Sequence, residues 1–422
     1  MTQVSRRHVL YIPGFDPVPP RAYRERYRRE AITQAALSGY HIVNGKAALG
    51  TRFGWNVEAT IEGAVVATEL EVLYWADIVR KSMGAGVLAT YGQLARTAWI
   101  YIGSGALLRL MRLRKGPVIA ALYPVAVLLG QLLLAAAIWF AVFWTVLMVT
   151  EGIMALIAGP TWLMQSYFGA RAWFSLLVPG PIAAGLFLRW CARKDRLLAW
   201  YLMKDYAFSS SLRGAYPPEQ EARMAEFGDR IADVLRSDVD EVLVVGHSSG
   251  AYIAVSVLSD LIRAGRVPAN GPVLSLLTLG HVVPMVSFLP KADRLRGDLA
   301  FLSVQDVAWV DVTAPGDGCA FALCDPVAVS GVAPPDKRWP LVISAAFSQT
   351  LSPARRKALK WKLFELHFQY LNAFDNLPDA ADAYDYFRIT AGPMTLGKRF
   401  ATRAPSQSRI ERAVNRFSDH AA

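Results

Sequence analysis

The residues best suited to chemistry are Gly246-His247-Ser248-Ser249-Gly250. A serine with glycines two positions to either side suits nucleophilic attack, because a turn sharp enough to expose the hydroxyl leaves no room for bulky flanks. The pattern alone is cheap: at Gly and Ser usage of roughly 7% each, a chain this long gives on the order of 0.1 chance matches. Its setting makes it specific. Glu241-Val-Leu-Val-Val245 before it reads as a buried strand, and Ala251-Tyr-Ile-Ala-Val-Ser-Val-Leu258 after it reads as an apolar helix. A strand–turn–helix of this kind sets the serine at a helix N-terminus, where backbone N–H groups favour developing negative charge.

The elements around the motif alternate between strand and helix. His8-Val-Leu-Tyr-Ile12 is β-like and is halted by Pro13-Gly14. Residues 21–37 read as a helix with a solvated face, and residues 55–75 as a hairpin and a sheet strand. Helices are expected over 219–236, 250–264 and 355–374, with further strands over 273–279 and 301–312. The tail after Arg399 is polar and is expected to be loose. There are no internal repeats. This alternation predicts a mostly parallel sheet with helices on both faces.

On these residues the chain resembles the α/β-hydrolase superfamily, particularly its serine lipases and esterases. The resemblance covers residues 4–75 and 219–392 and implies a triad in the chain order Ser, Asp or Glu, His. Ser248 would be the nucleophile. Val9-Leu-Tyr-Ile-Pro13-Gly14-Phe15-Asp16 resembles the family's oxyanion loop, so the amides of Phe15 and Ser249 would bind the oxyanion. The acid matches Asp317 in Ala314-Pro315-Gly316-Asp317-Gly318, a loop that follows a strand; Asp311 and Asp325 are rivals. The base matches His367, the only histidine between His281 and His420. His281 competes, but it precedes every acid that fits, and His247 lies within the elbow itself. The resemblance implies acyl transfer to water with no metal or organic cofactor.

A different kind of sequence fills the interval before the nucleophile strand. Residues 116–150 carry no charge and no histidine; after Glu151, residues 152–170 are again uncharged, as are 172–188 after Arg171. A helix of 35 such residues, at about 1.5 Å each, outruns a hydrocarbon core of about 30 Å. If the strands on either side join one sheet, the crossings must be even in number. The expectation is two transmembrane helices, about 118–148 and 170–190, joined by an interfacial connection. Arg109, Arg112, Arg114 and Lys115 flank one side, and Arg189, Arg193, Lys194 and Arg196 the other, which places the catalytic portions in the cytoplasm. The amphipathic, basic residues 81–114 are expected along the membrane surface.

The chain thus divides into residues 1–80 and 218–398 as two parts of one hydrolase domain, a membrane-associated insertion over 81–217, and a tail over 399–422. The totals agree: 422 residues, 54% hydrophobic, net charge +11, and a mean hydropathy of +0.27. No zinc-finger spacing, RNA-binding signature or basic repeat is present, so the charge points to membrane lipids as partners and not to nucleic acid. Cys191, Cys319 and Cys324 form no disulfide framework or zinc set and fit reduced thiols. Residues 1–15 hold no apolar run of signal-peptide length. The expected protein is an integral membrane serine hydrolase of the inner or plasma membrane, acting on ester or thioester bonds of lipid-like acyl substrates. An inactive hydrolase-fold interaction module and an acyltransferase are the alternatives.

Overall fold

The computed structural model describes residues 3–45, 53–84, 86–158, 163–360, 362–378 and 380–420. Eight strands form one sheet: β1 (Arg6–Ile12), β2 (His41–Asn44), β3 (Gly54–Ile61), β4 (Ala64–Val72), β5 (Glu241–His247), β6 (Val273–Leu279), β7 (Ala308–Thr313) and β8 (Leu341–Ser344), in the order β2-β3-β4-β1-β5-β6-β7-β8. From β4 to β8 every pairing is parallel, while β2, β3 and β4 form an antiparallel edge. Burial follows this plan. All of β5 is buried, as a strand covered on both faces must be, whereas β3 alternates buried and exposed positions.

The chain leaves β1 toward β2 and β3 on one side and later enters β5 on the other. The carboxyl ends of β1 and β5 are therefore a topological switch point, where loops diverge and leave a crevice. Deep in the sheet, Arg7 donates to Glu241 (2.7 Å) and to the carbonyls of Gly392 (2.7 Å) and Met394 (2.5 Å). Glu241 also accepts from Ser275 (2.8 Å) and the Leu396 amide (2.7 Å), so this buried pair has its hydrogen bonds met and ties β1, β5 and β6 to the chain's later segments.

Four expectations need correction. Residues 301–312 are not one strand: the helix Asp293–Leu302 precedes β7, its Leu295, Leu299 and Leu302 buried at helical spacing. Residues 355–374 are not one helix but the helices Pro353–Leu359 and Leu363–His367 and a 3-10 turn, Gln369–Leu371; hydrogen bonds from His367 and Tyr370 to Asp317 hold the last two. The tail over 399–422 is not loose through its described residues. Ser406 donates to Val342 (2.9 Å) and Ile410 to Leu323 (2.7 Å), while the Ile410 carbonyl accepts from Asp325 (2.9 Å). Finally, the insertion is shorter than residues 81–217. One compact unit comprises Met1–Ser82, Thr97–Ala120 and Phe208–Ala422, so residues 97–120 and 208–217 belong with the sheet. Tyr101 donates to the Met285 carbonyl (2.9 Å) and Arg114 to that of Ala322 (2.8 Å), while Leu110 and Leu113 are buried.

The second unit comprises Met83–Arg96 and Ala121–Ala207. Among the described residues, two helical stretches are long and apolar enough to cross a membrane: Lys115–Ile157, with mean hydropathy 2.5, and Gly169–Lys194, with 1.4. Only 11% of the most apolar window of the first is buried, which is not how the core helix of a water-soluble domain behaves. The two charges that interrupt the apolar block meet: Arg171 donates to both Glu151 carboxylate oxygens, from Nε (2.7 Å) and Nη2 (3.1 Å). The expected interfacial connection falls partly on residues 159–162, which lie outside the described residues.

Candidate active site

Ser248 sits between β5 and the helix Gly250–Arg263 with φ +57°, a left-handed conformation that costs any residue with a side chain. The glycines explain how the turn closes. A Cβ on Gly250 would lie 2.1 Å from the Ile12 carbonyl oxygen, and one on Gly246 would lie 2.6 Å from that of Gly250. The turn is thus pressed against the end of β1. A Cβ on Gly14 would meet Ser248 Cβ at 2.9 Å and Oγ at 3.3 Å, so the Pro13-Gly14 turn lies directly over the hydroxyl. Pro13 is fixed by Trp75, whose indole N–H donates to its carbonyl (2.9 Å), and Phe15, Trp75 and Phe208 pack in one aromatic cluster. Ser249 is buried at the head of the helix, where the first amides lack intrahelical partners.

Asp317 and His367, 50 residues apart in sequence, meet. His367 Nδ1 donates to Asp317 Oδ2 at 2.7 Å with both side chains almost fully buried. Asp317 Oδ2 also accepts from the Tyr370 hydroxyl (3.0 Å), and Oδ1 from the Cys319 amide (2.9 Å). Burial and the adjacent Asp317 push the Tyr370 phenol well above its ordinary pKa, so it stays protonated and donates. With Nδ1 spent on the carboxylate, the imidazole's remaining lone pair is at Nε2.

A two-residue stretch of backbone touches both halves of the site. The Ser248 amide donates to the Leu279 carbonyl (2.9 Å), and a Cβ on the next residue, Gly280, would lie 3.1 Å from His367 Cε1. His247 does not share this chemistry. Its ring packs on that of His367 (centroids 4.8 Å apart), and Nε2 lies 3.1 Å from the His367 carbonyl oxygen, to which it donates. Desolvation, then the proximity of His367, holds its pKa well below the usual histidine value, so it stays neutral. A histidine depressed in this way stabilises the fold fully above its unfolded pKa of 6.5 and loses that contribution as pH falls below it. The thermal midpoint of the wild type is therefore expected to fall toward that of His247→Asn as pH drops from 8 to 5. A gap independent of pH would show that His247 is not held neutral.

The rival acids and base are engaged elsewhere. Asp311 lies within β7, accepts from Thr278 (2.6 Å), and has His281 Nε2 at 3.6 Å; burial pushes its pKa up to about 6. His281 Nε2 is bonded to the Cys324 carbonyl (2.9 Å), and Asp325 caps a short helix and pairs with Lys337. Tyr370 and Gly280 were not singled out by sequence reasoning. Tyr370 carried one signal, its place three residues beyond His367.

Among the described residues, two groups of side chains have the ligand types to hold a cation: Asp317, Cys319 and His367, and His8, Glu69 and Glu71. In the first, the carboxylate and imidazole are already bonded to each other, and in the second the Arg230 guanidinium (2.7 Å) already sits on Glu71. No family model matches the chain, and neither a curated protein nor a solved structure gives a significant match.

Proposed function

We propose that this protein is a membrane-anchored serine hydrolase of the α/β-hydrolase type, with Ser248 as nucleophile, His367 as general base and Asp317 as the residue that orients the base. The observation that carries this reading is the pairing of a left-handed Ser248, in a turn only glycines can flank, with the 2.7 Å Asp317–His367 bond in the chain order Ser, Asp, His. His367 would take the proton from Ser248 as its oxygen attacks an acyl carbonyl. Asp317 would hold the imidazole with Nδ1 protonated, and the amides of Phe15 and Ser249 would bind the oxyanion. The tetrahedral intermediate would then expel the substrate's alcohol or thiol, which takes the proton from His367. Water, deprotonated in turn by His367, would attack the Ser248 ester to release the carboxylic acid and restore the hydroxyl.

Two candidate membrane-crossing helices support a substrate drawn from lipid, an acyl ester or thioester. The basic flanks of both helices, at Arg112, Arg114 and Lys115 and at Arg193, Lys194 and Arg196, favour a cytoplasmic catalytic unit.

The test is fluorophosphonate labelling of the full chain in membranes, with the adduct located by peptide mass spectrometry. An adduct on Ser248 that disappears in Ser248→Ala supports the reading. A folded wild type that takes no label overturns it in favour of a binding module.

A further inference from the structure

We propose that the segment 97–115 is an in-plane anchor that seats the sheet-bearing unit in an anionic lipid surface, separately from the membrane-crossing helices. This segment packs on the sheet-bearing unit with one face and presents apolar residues on the other. Tyr101, Ala106, Leu110 and Leu113 are buried, whereas Trp99 is 79% exposed, Ile102 64% and Leu108 66%, with Met111 also exposed. Trp99 and Ile102 are three residues apart near the end of the helix Val87–Gly103, and Leu108 and Met111 are three apart in the helix Ala106–Leu113, so each pair shares a helix face. Arg112 is exposed beside Met111.

Charge and continuity identify the occupant. Between Asp77 and Glu151 the chain has no acidic residue and seven basic ones: Arg80, Lys81, Arg96, Arg109, Arg112, Arg114 and Lys115. A cationic segment with a tryptophan and aliphatic side chains fits the headgroup layer of an anionic leaflet. At Lys115 the chain enters the first candidate membrane-crossing helix, which brings the segment to a bilayer surface if that helix spans.

The anchor also touches the loop that carries Asp317. Arg114 Nε donates to the Ala322 carbonyl (2.8 Å), and a Cβ on Gly116 would lie 3.7 Å from Gly318. Seating the anchor therefore fixes the loop's outer side. The lipid-binding surface stands without the hydrolase reading; only the significance of this brace rests on it.

The experiment uses the full chain in phosphatidylcholine vesicles with and without phosphatidylglycerol. Leu108→Cys and, as reference, Val65→Cys are reacted with a membrane-impermeant maleimide, and peptide mass spectrometry separates them from the native cysteines. Both positions belong to one compact unit, so the sidedness of reconstitution cancels in their ratio. With phosphatidylglycerol present, Leu108→Cys is expected to react about tenfold more slowly than Val65→Cys, and its protection to weaken without that lipid. Equal rates at the two positions, or protection unaffected by phosphatidylglycerol, overturn the proposal. An oxidative cross-link between two copies of Leu108→Cys overturns it as well, since a second chain would then cover the face. Fluorophosphonate labelling of the same vesicles reports Ser248 independently, so failure of the anchor and failure of the hydrolase reading are told apart.

Discussion

Asp317→Asn is expected to slow acylation of Ser248 by about 10⁴-fold while the protein stays folded, because the change alters hydrogen bonding at the carboxylate and removes no volume. The carboxylate accepts three bonds, from the Cys319 amide, His367 Nδ1 and the Tyr370 hydroxyl. Asparagine has a single accepting oxygen, so its NH₂ must face either the Cys319 amide or His367 and Tyr370. If it faces His367, the imidazole must accept at Nδ1 and carry its proton on Nε2, where it cannot take one from Ser248. Tyr370→Phe removes one of the three donors and leaves the His367 bond, so its expected loss is smaller, about 10- to 100-fold. Both are read as second-order rates of fluorophosphonate reaction beside Ser248→Ala, which should not react. Asp311→Asn is the decisive comparison. Asp311 lies inside β7 against Thr278 and His281, and with its pKa pushed up to about 6 a neutral amide suits its burial. If Asp311→Asn lost the reaction while Asp317→Asn kept it within tenfold, the acid would be Asp311.

The parts of the site that were legible in the sequence are those set by local geometry. The elbow could be read because its requirement, two glycines around a serine between a buried strand and an apolar helix, is contained in about 20 consecutive residues. Asp317 and His367 could be ranked through a resemblance that supplied their chain order, since no periodicity links residues 50 apart. Gly280 gave no signal, and Tyr370 only its place three residues beyond His367, because their parts depend on where the chain returns after β6 and β7. The same reason explains the misread elements. Residues 355–374 have helical spacing, which does not report the break between Leu359 and Leu363 or the bonds from His367 and Tyr370 to Asp317. β2 and β8, four residues each, are too short to show a period of two against their surroundings. The tail looked loose because its composition is polar. Its order comes from backbone bonds to Val342 and Leu323, which composition does not report. Likewise, residues 97–120 share the basic, amphipathic character of the insertion, yet buried Tyr101, Leu110 and Leu113 hold them to the sheet-bearing unit.

Gly250→Ala is expected to be the most damaging single methyl group that can be added near the site. At 2.1 Å from the Ile12 carbonyl oxygen and 2.7 Å from that of Pro13, the new Cβ meets backbone and not the end of a flexible side chain. Relief would require β5 and its helix to move away from β1. That movement would break the parallel pairing in which Ile12 lies opposite Gly246, between β5, buried throughout, and β1, buried from Arg7 to Ile12. The expected cost exceeds about 4 kcal/mol, a large fraction of the roughly 5–15 kcal/mol that holds a typical domain folded. The control is Gly228→Ala in the helix Pro218–Val234, where a Cβ would have nothing within 4 Å; it should be neutral or stabilise by up to about 1 kcal/mol. Thermal unfolding in detergent, with limited proteolysis, separates the two. A Gly250→Ala variant that melts with the wild type and still labels at Ser248 would mean that β1 does not press on the turn. Gly14 would then no longer be held over the serine hydroxyl, and the proposed oxyanion amide of Phe15 would lose its place. The fold and the chemistry are therefore tested at one atom, since the contact that forbids a side chain at Gly250 also brings the β1 loop to Ser248.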